Sequence, residues 1–336
     1  MSQRALITGI TGQDGSYLAD LLLEKGYEVH GIVRRVSFED PEHRLWRIRH
    51  LLGKLRLHFG AVEDFPSLYS IVEEVQPQEL YHLAAQSFVS YAFEEDYNTI
   101  NTNILGAQFV LSALAKKAPG CRFYFSGTSE MFGAPRTSPQ DEETAFLPRS
   151  AYGISKLAGF HLTRNYRDAY GLHASSGILF NHESPRRGYE FVTRKITSAA
   201  AKIKLGLERK LELGNLEARR DWGHAREYVV AMWQMLQQDA PDDYVVASGA
   251  THTVREFLDV AFSHLGLDYH EHVEVNPKLF REPEKHVLQG DCAKARSKMG
   301  WQPRCRFEDL VREMVESDLD LYRKKVQFMG NVRSAP

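Results

Sequence analysis

Cysteine is scarce in this 336-residue chain. Cys121, Cys292 and Cys305 are too few and too scattered for a disulfide framework, and they read as reduced thiols in a reducing compartment. Long apolar runs are missing as well. No window approaches the roughly 18 consecutive apolar residues of a membrane span, and MSQRALITG runs into a strand without a signal-type apolar segment. Neither sign of charge dominates. The 42 Lys+Arg and 44 Asp+Glu leave a formal net charge of −2, which gives no electrostatic reason to expect nucleic acid or an anionic membrane as a partner. The histidines of YHEH (His270, His272) and His286 fit no tetrahedral zinc spacing, so no metal is expected. No repeat, low-complexity tract or linker breaks the chain. These absences leave a soluble, cytoplasmic protein with room for a large core.

What is present begins with alternation. Apolar stretches at Arg4–Thr8, Glu28–Val33, Leu55–Phe59, Glu79–Leu83 and Arg122–Phe125 read as strands. Helical spacing separates them, as in Ser16–Lys25, with Gly26 as a stop, and in Thr102–Lys117. Repeated strand–helix units predict an α/β fold: a doubly wound parallel sheet of the dinucleotide-binding, Rossmann type. The pattern loosens after Phe180. Helices are expected over Ile196–Leu207, Arg220–Gln238, 253–265, 290–299 and 307–324, with a strand in DDYVVAS. The second, smaller α/β lobe is therefore expected to be interleaved with the first. The division is 1–180 plus 223–247 for cofactor binding, and 181–222 plus 248–330 for substrate.

ITGITGQDG lies between the first strand and the first helix. Gly9, Gly12 and Gly15 permit a tight turn and close approach of a pyrophosphate, with the helix N-terminus as anion donor; Gln13 and Asp14 complete the loop. The spacing is GxxGxxG, not GxGxxG. The second strand ends in Arg34 and Arg35 rather than in the acidic residue that an NAD ribose favours. Two guanidiniums suit a 2′-phosphate, which points to NADP; the alternative is a pair of solvated surface arginines. YGISK places Tyr152 and Lys156 one helical turn apart, where the lysine is expected to lower the phenol's pKa and make Tyr152 a base. SGTSEMFG adds Thr128, Ser129 and a carboxylate, Glu130, at the end of a strand.

With these motifs, and with GILFNHESPRRGYEFVTRKI and LGNLEARRDWGHAREYV, the chain resembles the extended short-chain dehydrogenase/reductases that modify nucleotide sugars. Within them it resembles the GDP-mannose 4,6-dehydratases. The resemblance implies a tightly bound NADP, regenerated in each turnover. It also implies catalytic roles for Thr128, Glu130, Tyr152 and Lys156. Tyr152 and Lys156 would contact the cofactor too, as would Arg186. Ser87, Ser129, Asn181, Glu183, Val192, Lys195, Arg220, Arg281 and Glu284 would hold the GDP-sugar. A homotetramer is implied, with the Ser184–Tyr189 loop, Arg186 and Arg187 included, at a subunit contact.

Three departures from the family pattern stand out. Ala61 occupies the place of an aspartate that contacts adenine, so Glu63 or Asp64 substitutes, or adenine is held without that bond. The late pair reads REPE, without proline directly after the arginine. Gly127 replaces a serine before Thr128, and the missing side chain suggests room for a longer sugar, a GDP-manno-heptose. A reductase or epimerase of the same fold remains a further alternative; it would have no need of Glu130.

Overall fold

The computed structural model describes residues 2–87, 96–280 and 287–333. Its strands are β1 (Arg4–Thr8), β2 (Glu28–Val33), β3 (Arg56–Phe59), β4 (Glu79–His82), β5 (Arg122–Thr128) and β6 (Ala174–Leu179). Then come β7 (Asn181–Glu183), β8 (Leu211–Leu213), β9 (Arg219–His224), β10 (Asp243–Val246), β11 (Thr251–Thr253) and β12 (Val273–Val275). The longer helices are α1 (Gln13–Glu24), α2 (Phe65–Val75), α3 (Gly106–Lys117), α4 (Ala151–Tyr170), α5 (Val192–Lys204), α6 (Ala225–Gln237), α7 (Val254–His264) and α8 (Phe307–Arg333).

Seven strands form a parallel sheet in the order β10-β6-β5-β4-β1-β2-β3. Strand order reverses between β1 and β4, so a crevice opens at the carboxyl ends of those strands. Both faces are covered. Alternation along β5 sends Phe123 and Phe125 to one face, where they pack with Leu111, Leu114 and Phe160 of α3 and α4. Tyr124 goes to the other face, with Leu18 and Leu22 of α1 and Met232 and Met235 of α6. Each such fully buried side chain contributes about 1.5–3 kcal/mol. α1 ends where Gly26, at φ +81°, lets the Gly26 and Tyr27 amides return to the carbonyls of Leu23 and Leu22. α4, which carries Tyr152 and Lys156, starts at Ser150, whose hydroxyl accepts from the Gly153 amide at 3.0 Å, and it stops at Gly171, φ +68°.

A second core unites α5, α7 and α8 around Trp222, Phe257 and Phe307. Beside it a three-stranded sheet runs β11-β9-β7. The helix expected over Arg220–Gln238 begins only at Ala225. The residues before it are strand because Trp222 pairs with Asn181 and Asp221 with Thr251. Tertiary pairing overrides the helical spacing there. The helix expected from Thr102 also starts differently, with a π-helical turn at Asn101–Leu105 before α3.

Candidate active site

A cleft of about 1080 Å³ follows the carboxyl ends of β1, β2, β4, β5 and β6. The glycine loop forms its floor. Gly9 sits at φ +76°, and a Cβ there would lie 2.7 Å from the Ala84 backbone nitrogen. A Cβ on Gly15 would meet the Gly9 carbonyl at 2.3 Å. On Gly12 it would meet only that carbonyl, at 3.2 Å, so the rest of its space is cleft. Two glycines thus close the turn and the third keeps a cradle open at the start of α1. That fits a dinucleotide pyrophosphate.

Gln13 and Asp14 have a further task. Gln13 Nε2 donates to the His182 carbonyl at 3.0 Å, and Ser184 Oγ donates to Gln13 Oε1 at 2.8 Å. His182 lies between two acceptors: Nδ1 is 2.8 Å from the Phe180 carbonyl and Nε2 is 2.8 Å from Asp14 Oδ2. Neither acceptor can donate, so the imidazole carries both protons. Burial opposes the charge on each partner. Their mutual attraction and hydrogen bond outweigh it, raising His182 above and lowering Asp14 below its ordinary value. The clasp joins the glycine loop to the segment after β6. The histidine's share of the stabilisation is complete below its unfolded pKa of about 6.5 and is lost as pH rises through the raised folded value. Asp14's share is present above its unfolded value and is lost as pH falls through the depressed one. His182→Asn should therefore cost about 1.5–3 kcal/mol near pH 6 and progressively less as the pH is raised. Thermal unfolding of both proteins across pH 5–9 checks this; a constant gap contradicts it.

At the end of β5, Thr128 caps a short turn, Ser129–Met131, accepting from the Glu130 amide at 3.3 Å. α4 crosses directly above. A Cβ on Gly153 would stand 2.6 Å from the Glu130 carbonyl, so the glycine of YGISK lets Tyr152 approach Glu130. Thr128, Ser129, Glu130, Tyr152, Lys156, Ser87 and Asn181 all line the cleft. Lys156 is buried, and its Nζ donates to the Ser126 carbonyl at 2.7 Å; burial brings its pKa down to about 8. The Tyr152 phenol is pushed up by burial and by Glu130, and is pulled back by a hydrogen bond with Thr128 and the charge of Arg187. Lys156, expected to lower the phenol, is not among the groups that draw it down here.

Behind α4, the π-helical turn presents buried Asn103. Its Nδ2 donates to Ser155 Oγ (2.9 Å) and to the Gln86 carbonyl (3.2 Å), and its Oδ1 accepts from the Gln86 amide at 2.8 Å. One side chain thus ties the catalytic helix to the loop after β4. π-turns recur at functional sites.

Other expected residues are distributed unevenly. Arg34 lines the cleft with Ser37, Arg44 and Arg47. Arg35 does not. It stands before the turn Val36–Glu39, its guanidinium over the Phe59 ring at 5.6 Å. Arg47 Nε donates to the Arg186 carbonyl at 2.6 Å, and burial brings its pKa to about 10. Of the two candidates near adenine, Glu63 lines the cleft and accepts from Thr102 Oγ1 at 2.6 Å, whereas Asp64 precedes α2. Arg186 turns away from the cleft onto its own chain: it bonds Asp20 at 2.7 Å and lies 4.0 Å above the Tyr17 ring. Its neighbour Arg187 reaches the cleft instead, over Phe191 at 3.5 Å and 3.0 Å from Glu183. Glu183 is buried behind the cleft, accepting from Thr193 Oγ1 at 2.6 Å. Lys195 lines a separate recess with Tyr189, Lys202 and Tyr322. Val192 opens α5, and Arg220 donates to the Arg219 carbonyl at 2.7 Å; neither lines the cleft. Arg281 and Glu284, like His286, lie outside the described residues.

Gly127 stands at the cleft, at the end of β5. A Cβ there would meet the Gly177 carbonyl at 2.9 Å and Met131 Cε at 3.1 Å. The missing side chain accommodates the neighbouring strand, and Gly127 itself lines the cleft. His182, Arg187, Arg44 and Arg47 were not among the predicted cleft residues. The available signal was the basic spacing in HRLWR and the position of HES immediately after a strand.

A doubly wound parallel sheet, its glycine cradle and a Tyr152–Lys156 helix over a Thr–Ser–Glu strand end define an enzyme of the extended short-chain dehydrogenase/reductase class. Solved structures agree on the fold. A dTDP-glucose 4,6-dehydratase from Bacillus anthracis, in complex with NAD, superposes with a TM-score of 0.81 at 20% identity, covering 97% of this chain and 98% of that one. A UDP-glucose 4-epimerase from Thermotoga maritima gives 0.82 at 23%, covering 96% and 100%. Sequence comparison narrows the class. The GDP-mannose 4,6 dehydratase family profile matches residues 6–314. GDP-mannose 4,6 dehydratase 1 of Arabidopsis thaliana is 50% identical over 96% of this chain and 91% of its own. The Homo sapiens GDP-mannose 4,6 dehydratase is 47% identical over 95% and 92%. The chain belongs to the GDP-mannose 4,6-dehydratase family.

Proposed function

We propose that this protein converts GDP-mannose to GDP-4-keto-6-deoxymannose with loss of one water, using a nicotinamide cofactor held on the glycine loop. The observation that carries the reading is Glu130 at the rim shared by Thr128 and Tyr152, since a reductase or epimerase has no use for a carboxylate there. The cofactor, when bound, supplies a reversible hydride acceptor for C4 and donor for C6. Thr128 hydrogen-bonds the 4-oxygen, and Tyr152 takes the 4-hydroxyl proton in its phenolate form, which the Thr128 hydrogen bond and the charge of Arg187 favour against burial and Glu130. The resulting ketone acidifies C5–H. Glu130 removes that proton and delivers it to the departing 6-hydroxyl, which leaves as water; hydride then returns to C6, and the proton that Tyr152 took from the 4-hydroxyl balances the one added at C5. Lys156 contributes positive charge beneath these groups.

Within this reading the cofactor is NADP. Arg34, Ser37 and Arg44 gather at the end of β2, where a 2′-phosphate would lie. Arg34→Ala should weaken NADP at least tenfold more than NAD, while Arg35→Ala should affect the two alike; fluorescence titration of both cofactors checks this. The interleaved division supports the same picture. β10 and α6 complete the 1–180 half, and Cys292, Ala295 and Trp301 pack onto it as well, leaving the rest of 181–222 plus 248–330 to face the sugar nucleotide.

The test is incubation of purified protein with GDP-mannose and no added NADPH, followed by mass spectrometry. Loss of one water per sugar with catalytic cofactor is expected. A stoichiometric demand for NADPH would overturn the assignment.

A further inference from the structure

The largest fully buried side chain is a cation, Arg194 of α5. Its Nε donates to Asp318 Oδ1 of α8 at 3.0 Å, and one terminal nitrogen lies 2.7 Å from the same oxygen. That nitrogen also donates to the Tyr189 hydroxyl at 3.3 Å. The other terminal nitrogen donates to the carbonyl of Pro185 and, at 3.4 Å, to that of Arg187. Four hydrogen bonds and one ion-pair contact thereby engage all three nitrogens of the fork. Asp318 is fully buried, and its second oxygen accepts from Thr197 Oγ1 at 2.7 Å.

Three of those acceptors belong to the Ser184–Tyr189 loop. The loop's far side carries Arg187 into the cleft, where its charge draws down the Tyr152 phenol against burial and Glu130. A buried ion pair is a poor source of net stability compared with apolar residues of the same shape, so stability alone does not account for this one.

We infer that Arg194 and Asp318 are positioning residues for the dehydratase reaction: their buried pair is the template on which the Ser184–Tyr189 loop is moulded, and it thereby aims Arg187 into the cleft beside Tyr152. The inference rests on the reading of the cleft given above.

The test replaces both partners by apolar residues, Arg194→Met with Asp318→Leu, which leaves no lone buried charge. The double variant should fold, with a Tm within a few degrees of wild type, and lose roughly 10²-fold in kcat/KM for GDP-mannose through misplacement of the loop. The acidic limb of its kcat/KM profile should move to higher pH, as it should for Arg187→Met. Adding Arg187→Met to the double variant should cost little more, because the two changes act through one group. Trypsin should cut at Arg186 and Arg187 faster in the double variant, whatever the substrate. A folded double variant with wild-type kcat/KM and pH profile overturns the inference. So does a lowered Tm without a shifted profile, which marks a merely structural pair. If the double variant does not fold, Arg194→Lys keeps the charge without the fork, and the same shift, or its absence, decides. Should wild-type protein fail to dehydrate GDP-mannose, the functional reading falls, while the trypsin result still reports on the template.

Discussion

Glu130→Gln should abolish water loss almost completely while leaving the cofactor bound. The substitution keeps size and hydrogen-bonding shape but can neither take the C5 proton nor return one to the 6-hydroxyl. General acid–base catalysis by one side chain is worth about 10²–10⁴-fold, and Glu130 serves twice, so the upper end of that range is expected for kcat. The glycine cradle, Arg34 and Arg44 lie elsewhere along the cleft, so cofactor affinity should change by less than about twofold, within about 0.4 kcal/mol. Burial and Glu130 both raise the Tyr152 phenol, so removing the carboxylate's charge should also move the onset of C4 oxidation to lower pH. Single-turnover measurement of reduced cofactor from GDP-mannose separates the two steps. If Glu130→Gln dehydrates at the wild-type rate, the carboxylate is not the acid–base group.

Gly153→Ala should be nearly as damaging, for a different reason. Alanine suits a helix better than glycine, and at an exposed site the change would stabilise by up to about 1 kcal/mol. Here the new methyl would stand 2.6 Å from the Glu130 carbonyl and 3.2 Å from Pro148 Cβ. The first obstacle is backbone, so either α4 retreats or the turn at the end of β5 is pushed aside. Both responses separate Tyr152 from Glu130. A displacement of about 1 Å in a catalytic pair can cost about 10²-fold, and we expect a loss of that order in kcat together with a lowered Tm. Gly120→Ala, in the turn before β5, is the steric control, because a Cβ there meets nothing within 4 Å. Equal activity in the two variants would show that the close approach is not required.

Much of the first half was legible because glycine, helical spacing and short apolar runs punctuate it clearly. β1 and β2 span the expected residues, and Thr128, Glu130, Tyr152 and Lys156 do share one cleft. Failures occurred where long-range contacts decide. Trp222 lies in a sequence that spaces its apolar residues like a helix, but pairing with Asn181 makes it strand. Arg34 and Arg35 are equivalent in the sequence, and only the turn at Val36 sends one to the cleft and the other over Phe59. Gly127 and Gly153 look alike as missing side chains. One makes room for a strand carbonyl and the other for a catalytic turn, and neither neighbour is close in sequence except through the fold.

The pairing of β10 with β6, Asp243 opposite Ser176, has a consequence for how the molecule is made. While the chain emerges, the first six strands can assemble and bury their apolar faces before β10 exists. During that interval β6 is an open edge, with amides and carbonyls that another nascent chain could capture. The intervening stretch includes the Ser184–Tyr189 loop and all of α5, so lengthening it would prolong the exposure. Insertions between residues 180 and 243 should therefore lower the yield of native protein before they alter the cleft.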